Sequence, residues 1–259
     1  MHNDLLTIGK FTIHGYGLMI GIGFAAAYLV TEYRARKRGM DTDMVYILFF
    51  SSIIFGLLGA KLCYYLTILD ELLKDFSLLL SEGFVVYGGI IGGVLAGYVA
   101  CRIKKQDFWK YFDLVAPAIA LAQGFGRIGC LLAGCCYGRE TTSALSITFQ
   151  NSDFAPNGVA LIPTQIYSSL LDFLNFAVLC LIARHVKKDK IVAGCYLVFY
   201  SIGRFILEFF RGDLIRGSVG ALSTSQFISI FTFLAGIIFF WFCGKKYKKG
   251  TGLSESGTP

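Results

Sequence analysis

The chain has 259 residues, of which 55% are hydrophobic and only 16% charged, with a formal net charge of +7 and a mean hydropathy of +0.63. So few charges cannot coat a water-soluble globule of this length, which makes lipid the principal solvent. The positive balance needs no nucleic acid to explain it, because basic residues gather on the cytoplasmic side of membrane proteins and meet anionic lipid headgroups there.

Seven apolar stretches are long enough to cross a hydrocarbon core of about 30 Å, and helices are the spanning form that satisfies its own backbone groups. In chain order they are Gly15–Tyr33, Met44–Leu69, Gly83–Cys101, Tyr111–Cys136, Pro163–Ala183, Ile191–Phe210 and Thr224–Gly244. The expected architecture is thus an all-α membrane protein of seven transmembrane helices. Residues 1–249 form one polytopic membrane domain, and residues 250–259 form a disordered polar tail. The first stretch is read as a mature helix rather than a signal sequence. Asp4 and Lys10 precede it while Arg34, Arg36, Lys37 and Arg38 follow it, the reverse of a secretory leader.

With the N-terminus outside, the cytoplasmic segments hold those four residues together with Arg102, Lys104, Lys105, Lys110, Arg184, Lys187, Lys188, Lys190, Lys245, Lys246, Lys248 and Lys249. Lys10, Lys74, Arg139, Arg211 and Arg216 fall outside, and Lys61, Arg127 and Arg204 fall within the spans. This alternation predicts a cytoplasmic C-terminus.

An ionisable group at mid-membrane costs at least about 2.5–3.5 kcal/mol on insertion scales, so each needs a partner or a purpose. At about 1.5 Å per residue from the outer ends, Lys61, Arg127 and Arg204 share the outer half of the membrane. On the sixth helix Tyr200, Arg204, Glu208 and Arg211 lie on one face, so Glu208 offers Arg204 an ion pair. Arg127 has no carboxylate within four residues on its own helix, which favours a mobile anion such as a lipid phosphate, held by the planar guanidinium fork.

Gly88, Gly89, Gly92, Gly93 and Gly97 on the third helix, and Gly124, Gly126, Gly129, Gly134 and Gly138 on the fourth, suit close helix packing. Gly88 and Gly89 equally suit the approach of a lipid headgroup to the backbone. Most of the eight cysteines fall singly among apolar residues, but Cys130, Cys135 and Cys136 cluster at the outer end of the fourth helix. Their spacing matches no zinc motif, and His2, His14 and His185 are scattered, so no metal and no cofactor are expected. His14 lies at the outer mouth.

Four segments resemble signatures of the prolipoprotein diacylglyceryl transferase family, in the same order and over nearly the whole chain. They are His14-Gly15-Tyr16-Gly17-Leu18-Met19; Tyr87-Gly88-Gly89-Ile90-Ile91-Gly92; Gly126-Arg127-Ile128-Gly129 leading to Gly134 and Gly138; and Gly203-Arg204-Phe205-Ile206-Leu207-Glu208-Phe209-Phe210-Arg211. Pro163-Thr164-Gln165-Ile166-Tyr167 is also similar. The resemblance implies transfer of the diacylglyceryl group of phosphatidylglycerol to the lipobox cysteine thiol of a prolipoprotein signal peptide at the outer face of the bacterial plasma membrane. It makes Arg127 and Arg204 the phosphate binders, with Tyr16 and Tyr200 orienting headgroup or peptide. Glu208 would position Arg204, Gly138 matches a family glycine, and Cys130 would line the substrate site.

The chain also departs from the family pattern. Tyr87 stands where a His usually precedes the Gly-Gly pair, and a neutral phenol is a poor base for a thiol proton. Cys130 replaces an Asn, Cys135 an acidic residue, and Ile162 and Ser168 stand where His and Glu are common. Phosphate binding is retained and proton handling altered. Two other readings stay open: a paralogue acting on another acceptor, and a noncatalytic phospholipid-binding protein.

Overall fold

The structure, a computed structural model, describes residues 4–8, 11–80, 83–186, 188–213, 218–220 and 222–250. The expected tail, apart from Gly250, and the loop charges Lys10, Lys187 and Arg216 lie outside the described residues. Among the described residues, seven helices are long and apolar enough to cross a membrane. They are α1 (Gly15–Lys37), α2 (Thr42–Thr67), α4 (Val86–Ile103), α5 (Phe108–Ala133), α6 (Thr164–His185), α7 (Ile191–Glu208) and α8 (Thr224–Gly250). A short helix α3 (Leu69–Leu72) and a 3-10 turn (Phe76–Leu80) follow α2, and neither was expected. Three two-stranded antiparallel pairs also supplement the all-α expectation: β1 (Asp4–Ile8) with β2 (Phe11–His14), β3 (Ile147–Thr148) with β4 (Ala160–Leu161), and β5 (Ser218–Val219) with β6 (Leu222–Ser223).

Helix ends move from their expected places for local reasons. Asp41 caps α2 by accepting from the Asp43 N–H at 2.9 Å, and Asp107 starts α5 three residues early by accepting from Trp109 N–H at 2.8 Å. At the other end Gly134, at φ +74°, stops α5 short of Cys136. The last turns of α1, α4 and α6 carry Arg34, Arg36, Lys37, Arg102, Arg184 and His185, which complement the helix dipoles.

The chain forms two compact units, one from the start through Val30 and again from Phe112 onward, the other Thr31–Tyr111. In the first, Ala116 and Ala120 of α5, Leu179 and Ala183 of α6, and Val192 and Tyr196 of α7 make a buried cluster. Asp113 on α5 accepts from the Ala193 N–H at 2.8 Å, which ties a buried carboxylate to the first turn of α7. Helices α7 and α8 touch through Gly194 and Gly236, and Ser201 Oγ lies 2.6 Å from Thr232 Oγ1. Outside the spans, Phe149, Ala155 and Leu161 pack with Leu131 and Tyr137 and anchor the β3–β4 pair to the end of α5.

In the second unit α2 and α4 pack backbone to backbone. A Cβ on Gly59 would stand 2.5 Å from the Gly88 carbonyl, and one on Gly92 would collide with the Phe55 carbonyl. Gly89 faces Gly56 and Ala60 in the same seam. Because both obstacles are main chain, larger residues at these positions must separate the helices. Gly92→Leu is therefore expected to destabilise this unit by about 1–3 kcal/mol, read as a lower thermal unfolding midpoint in detergent, with Gly126→Ala, which meets nothing within 4 Å, as the unaffected comparison.

Candidate active site

Arg127 on α5 and Arg204 on α7 line one open cavity of about 400 Å³. Asp172, Asn175 and Ser168 of α6 and Tyr200 of α7 share its wall. Its mouth is apolar and outward-facing, since Leu171, Leu174, Ile202 and Ile206 are all exposed. A guanidinium pair behind exposed leucines and isoleucines suits an amphiphile, with its charge inside and its chains outside.

The two cations are held differently. Arg204, 11% exposed, has its Nη1 2.6 Å from Glu208 Oε2, and its Nη2 donates to Ser225 Oγ of α8 at 2.7 Å. That Glu208 oxygen lies off the N–H direction, so the contact is ionic without being a well-aligned hydrogen bond. The same oxygen is 4.0 Å from Arg211 Nε. Arg211 is itself paired with Asp213 through Nε–Oδ1 at 2.8 Å and Nη2–Oδ2 at 2.5 Å. Burial works against the Arg211 charge, but the hydrogen bonds to Asp213 and Cys136 outweigh it and hold the guanidinium more firmly protonated than usual.

Arg127 makes no hydrogen bond or ion pair among the described residues; its electrostatic neighbours are Tyr200, Cys130, Asp172 and Cys136. Its fork is thus available to a ligand in a way that the Arg204 fork is only in part. Tyr200 stacks on Tyr196 with ring centroids 5.9 Å apart, and the Tyr196 hydroxyl donates to Gln123 Oε1 at 3.1 Å, which fixes the Tyr200 ring in the wall.

The segment after α5 is clasped by two other elements. Gly138 N–H donates to the Ile162 carbonyl at 3.2 Å, Arg139 N–H to the Phe210 carbonyl at 2.9 Å, and Gly212 N–H to the Tyr137 carbonyl at 3.1 Å. At Gly138 a Cβ would collide with Ile162 and stand 3.0 Å from the Phe210 carbonyl, so the position tolerates no side chain. Thr164 Oγ1 donates to the Cys136 carbonyl at 2.9 Å and Gln165 Nε2 to the Cys135 carbonyl at 2.8 Å. The Pro-Thr-Gln segment therefore serves to seat this turn.

Other expected site residues fall in several places. Tyr16, in the first turn of α1, is half exposed and packs over Gly129 of α5, with Cys130, Cys135, Cys136 and Arg127 as electrostatic neighbours. His14 ends β2 just before it, exposed and outside the cavity lining. Tyr87, 44% exposed, and Gly88 and Gly89 belong to the second unit, where the glycines are covered by α2. Lys61 is also there, with its ammonium 5.0–5.4 Å from the ring centroids of Tyr64, Tyr65 and Phe84, a cation–π environment that accounts for its charge.

Sequence reasoning missed Asp172 and Asn175. Each is 8% exposed, and neither amide atom of Asn175 has a partner among the described residues. Asp172 was visible as an ionisable residue inside a span, a sufficient signal by itself; Asn175 carried none, because only the packing of α6 places it in the wall of the cavity that Arg127 also lines. The three thiols that the sequence groups at the outer end of the fourth span do meet: the Sγ atoms of Cys130, Cys135 and Cys136 all lie within 4.8 Å of one another. Hydrogen bonds with Cys130 and Cys136, with burial, push the Cys135 thiol well above its ordinary range.

These features define a class: a membrane protein with seven candidate spans among its described residues and two guanidiniums lining one cavity beneath an apolar mouth. The profile of the family described as prolipoprotein diacylglyceryl transferase matches residues 3–242, and the chain belongs to that family. A Clostridium tetani protein named phosphatidylglycerol–prolipoprotein diacylglyceryl transferase is 48% identical over 234 residues, covering 88% of this chain and 92% of its own. Clostridium perfringens has a protein of that name numbered 2, 47% identical over 244 residues and covering 93% and 94% of the two chains. The same organism's protein numbered 1 is 31% identical over 260 residues, covering 96% and 98%.

Replacing Glu208 by Gln strips a carboxylate from between two buried guanidiniums, and breaking such a pair costs about 3–5 kcal/mol. The variant is expected to unfold at a markedly lower temperature, and adding a phosphate-bearing lipid should restore part of the loss by supplying the missing anion.

Proposed function

We propose that the protein transfers the diacylglyceryl group of phosphatidylglycerol to the lipobox cysteine thiol of a prolipoprotein signal peptide, at the outer face of the bacterial plasma membrane. The observation that carries this reading is the placement of Arg127 and Arg204 in one cavity whose mouth is bordered by exposed aliphatic side chains. The distribution of basic residues supports an external N-terminus and a cytoplasmic C-terminus, which puts the cavity in the outer half of the bilayer.

The thiol sulfur attacks the glyceryl carbon next to the phosphate. The C–O bond breaks, its electron pair stays on the phosphate oxygen, and glycerol phosphate leaves with one more negative charge. Arg127 and Arg204 bind the phosphate and meet that growing charge, an interaction stronger in the transition state than in the ground state. Glu208 and Ser225 hold the Arg204 fork in place. Tyr200, Asp172 and Asn175 face the headgroup, where a carboxylate and an amide suit its glycerol hydroxyls, while Tyr16, beside Cys130, faces the acceptor peptide. Gly138 keeps the turn after α5 closed over the site. Tyr87, Gly88 and Gly89 enter the reading through their motif, and the proximity of guanidiniums favours ionisation of the acceptor thiol without a histidine at position 87.

Transfer of radiolabelled glycerol from phosphatidylglycerol to a synthetic lipobox peptide tests the reading. Wild-type protein is expected to transfer label, and Arg127→Ala and Arg204→Ala each to lose about 10²- to 10³-fold; equal rates in the variants would refute the assigned roles. Asp172→Ala and Asn175→Ala are expected to narrow the preference for phosphatidylglycerol over a phosphodiester lipid lacking headgroup hydroxyls by about tenfold, the worth of one or two hydrogen bonds. Competition between the two lipids in one assay measures it.

A further inference from the structure

Phosphate binding leaves unused the three thiols at the end of α5, and their convergence has a backbone cause. The Cys135 N–H donates to the Cys130 carbonyl at 3.1 Å and the Gly134 N–H to the Leu131 carbonyl at 3.2 Å, with Gly134 at φ +74°. This is the paired 6→1 and 5→2 closure of a helix C-terminus, which stacks the residue after the glycine on the third from the helix end. Both are cysteines here. Cys136 then takes φ +60°, a left-handed conformation rare for a side chain with a Cβ, and brings the third sulfur to the first two. Thr164 and Gln165 hold the two carbonyls that follow the thiols.

Two guanidiniums stand beside the sulfurs and would offset the charge of thiolates formed on metal binding. Arg127, one turn before Cys130, counts Cys130 and Cys136 among its electrostatic neighbours, and Arg211 hydrogen-bonds Cys136. Cys130 is buried and Cys135 and Cys136 half-buried. Tetrahedral zinc with Zn–S of about 2.3 Å needs sulfurs about 3.8 Å apart, which small rotamer adjustments supply. The all-sulfur donor set disfavours magnesium and calcium, which prefer oxygen. A disulfide within the group would leave one thiol over and would need an oxidant.

We propose that Cys130, Cys135 and Cys136 form a three-thiolate site for a soft divalent cation of the zinc class, whose open fourth position takes the acceptor thiol. The second clause rests on the transferase reading; the site does not. Each cysteine loses its proton to solvent as its sulfur–metal bond forms, and so does the acceptor. The metal-bound acceptor thiolate then attacks the glyceryl carbon, the C–O electron pair leaves on the phosphate held by the guanidiniums, and the thioether, a weaker ligand, departs. The acceptor's proton balances the extra charge on glycerol phosphate. Three departures from the family pattern acquire one cause: the chain lacks the histidine base at Tyr87 and carries soft ligands in place of the Asn and acidic residue at Cys130 and Cys135.

The test uses the full chain purified in detergent and loaded with Zn²⁺ or Co²⁺. The expected result is about one tightly bound zinc per chain, protection of these three cysteines from alkylation by a maleimide, and a tetrahedral cobalt–thiolate spectrum. Cys130→Ser/Cys135→Ser/Cys136→Ser abolishes all three signals, and Cys180→Ser keeps them. A lipobox peptide perturbs the cobalt spectrum, while the same peptide with serine for its cysteine does not. Absence of bound metal from wild type, or equal binding by the triple variant, overturns the site whether or not lipid is transferred. A site that binds metal but ignores the peptide thiol overturns the fourth-ligand role. Loss of transfer in wild type under all metal conditions would instead refute the transferase reading, and leaves the metal signals to decide the site.

Discussion

A guanidinium cannot shed its charge within a membrane, so Arg127 and Arg204 must be met by anions, and that requirement organises the first unit. Glu208 and Ser225 meet Arg204 from its own helix and from α8, and Asp213 meets Arg211 just beyond the end of α7. Arg127 has no ion pair among the described residues and lines the cavity. Three carboxylates, Glu208, Asp172 and Asp213, stand near three cations, Arg127, Arg204 and Arg211, so the formal charges balance, but only Arg204 and Arg211 are held in ion pairs among the described residues. In the proposed reaction the fork of Arg127 is the one left for an entering phosphate.

Small residues give this electrostatic arrangement its geometry. Gly138 and Gly212 allow three backbone segments to run side by side outside the spans, and the resulting clasp fixes the end of α5 relative to the start of α6 and the end of α7. Arg127 and Arg204 sit within two turns of those ends, so the clasp sets the relative depth of the two cations. In the second unit glycines do a plainer job, since Gly59, Gly88 and Gly92 bring α2 and α4 into main-chain contact where lipid offers no hydrophobic drive to do so.

Arg127 and Arg204, to which the proposed reaction assigns the phosphate, stand in segments that resemble the family's signatures, while Cys130 and Cys135 depart from those signatures. Its identity to the two Clostridium perfringens relatives, 47% and 31%, aligns it more nearly with the copy numbered 2 than with the copy numbered 1. Within that setting the thiol cluster reads as a replacement of one way of generating a thiolate by another, since a soft cation and a nearby base achieve the same end through different residues.

The spans were legible from sequence because apolar length is a local property, and their ends were approximate because caps such as Asp107 and Gly134 act through single side chains and single φ angles. Arg127, Arg204 and Glu208 were legible because a buried charge is conspicuous without knowledge of its neighbours, and Arg204 with Glu208 lie on one helix face by periodicity alone. What only the tertiary structure decided was every contact that depends on helix rotation and on chain reversal. The facing of Asp172 and Asn175 into the cavity, the arrival of Ser225 from α8, the burial of Gly88 against Gly59 and the meeting of three sulfurs across a helix-ending turn are of this kind. Sequence spacing fixes which residues share a face of one helix; only packing between helices, and a left-handed backbone at Gly134 and Cys136, determines what those faces meet.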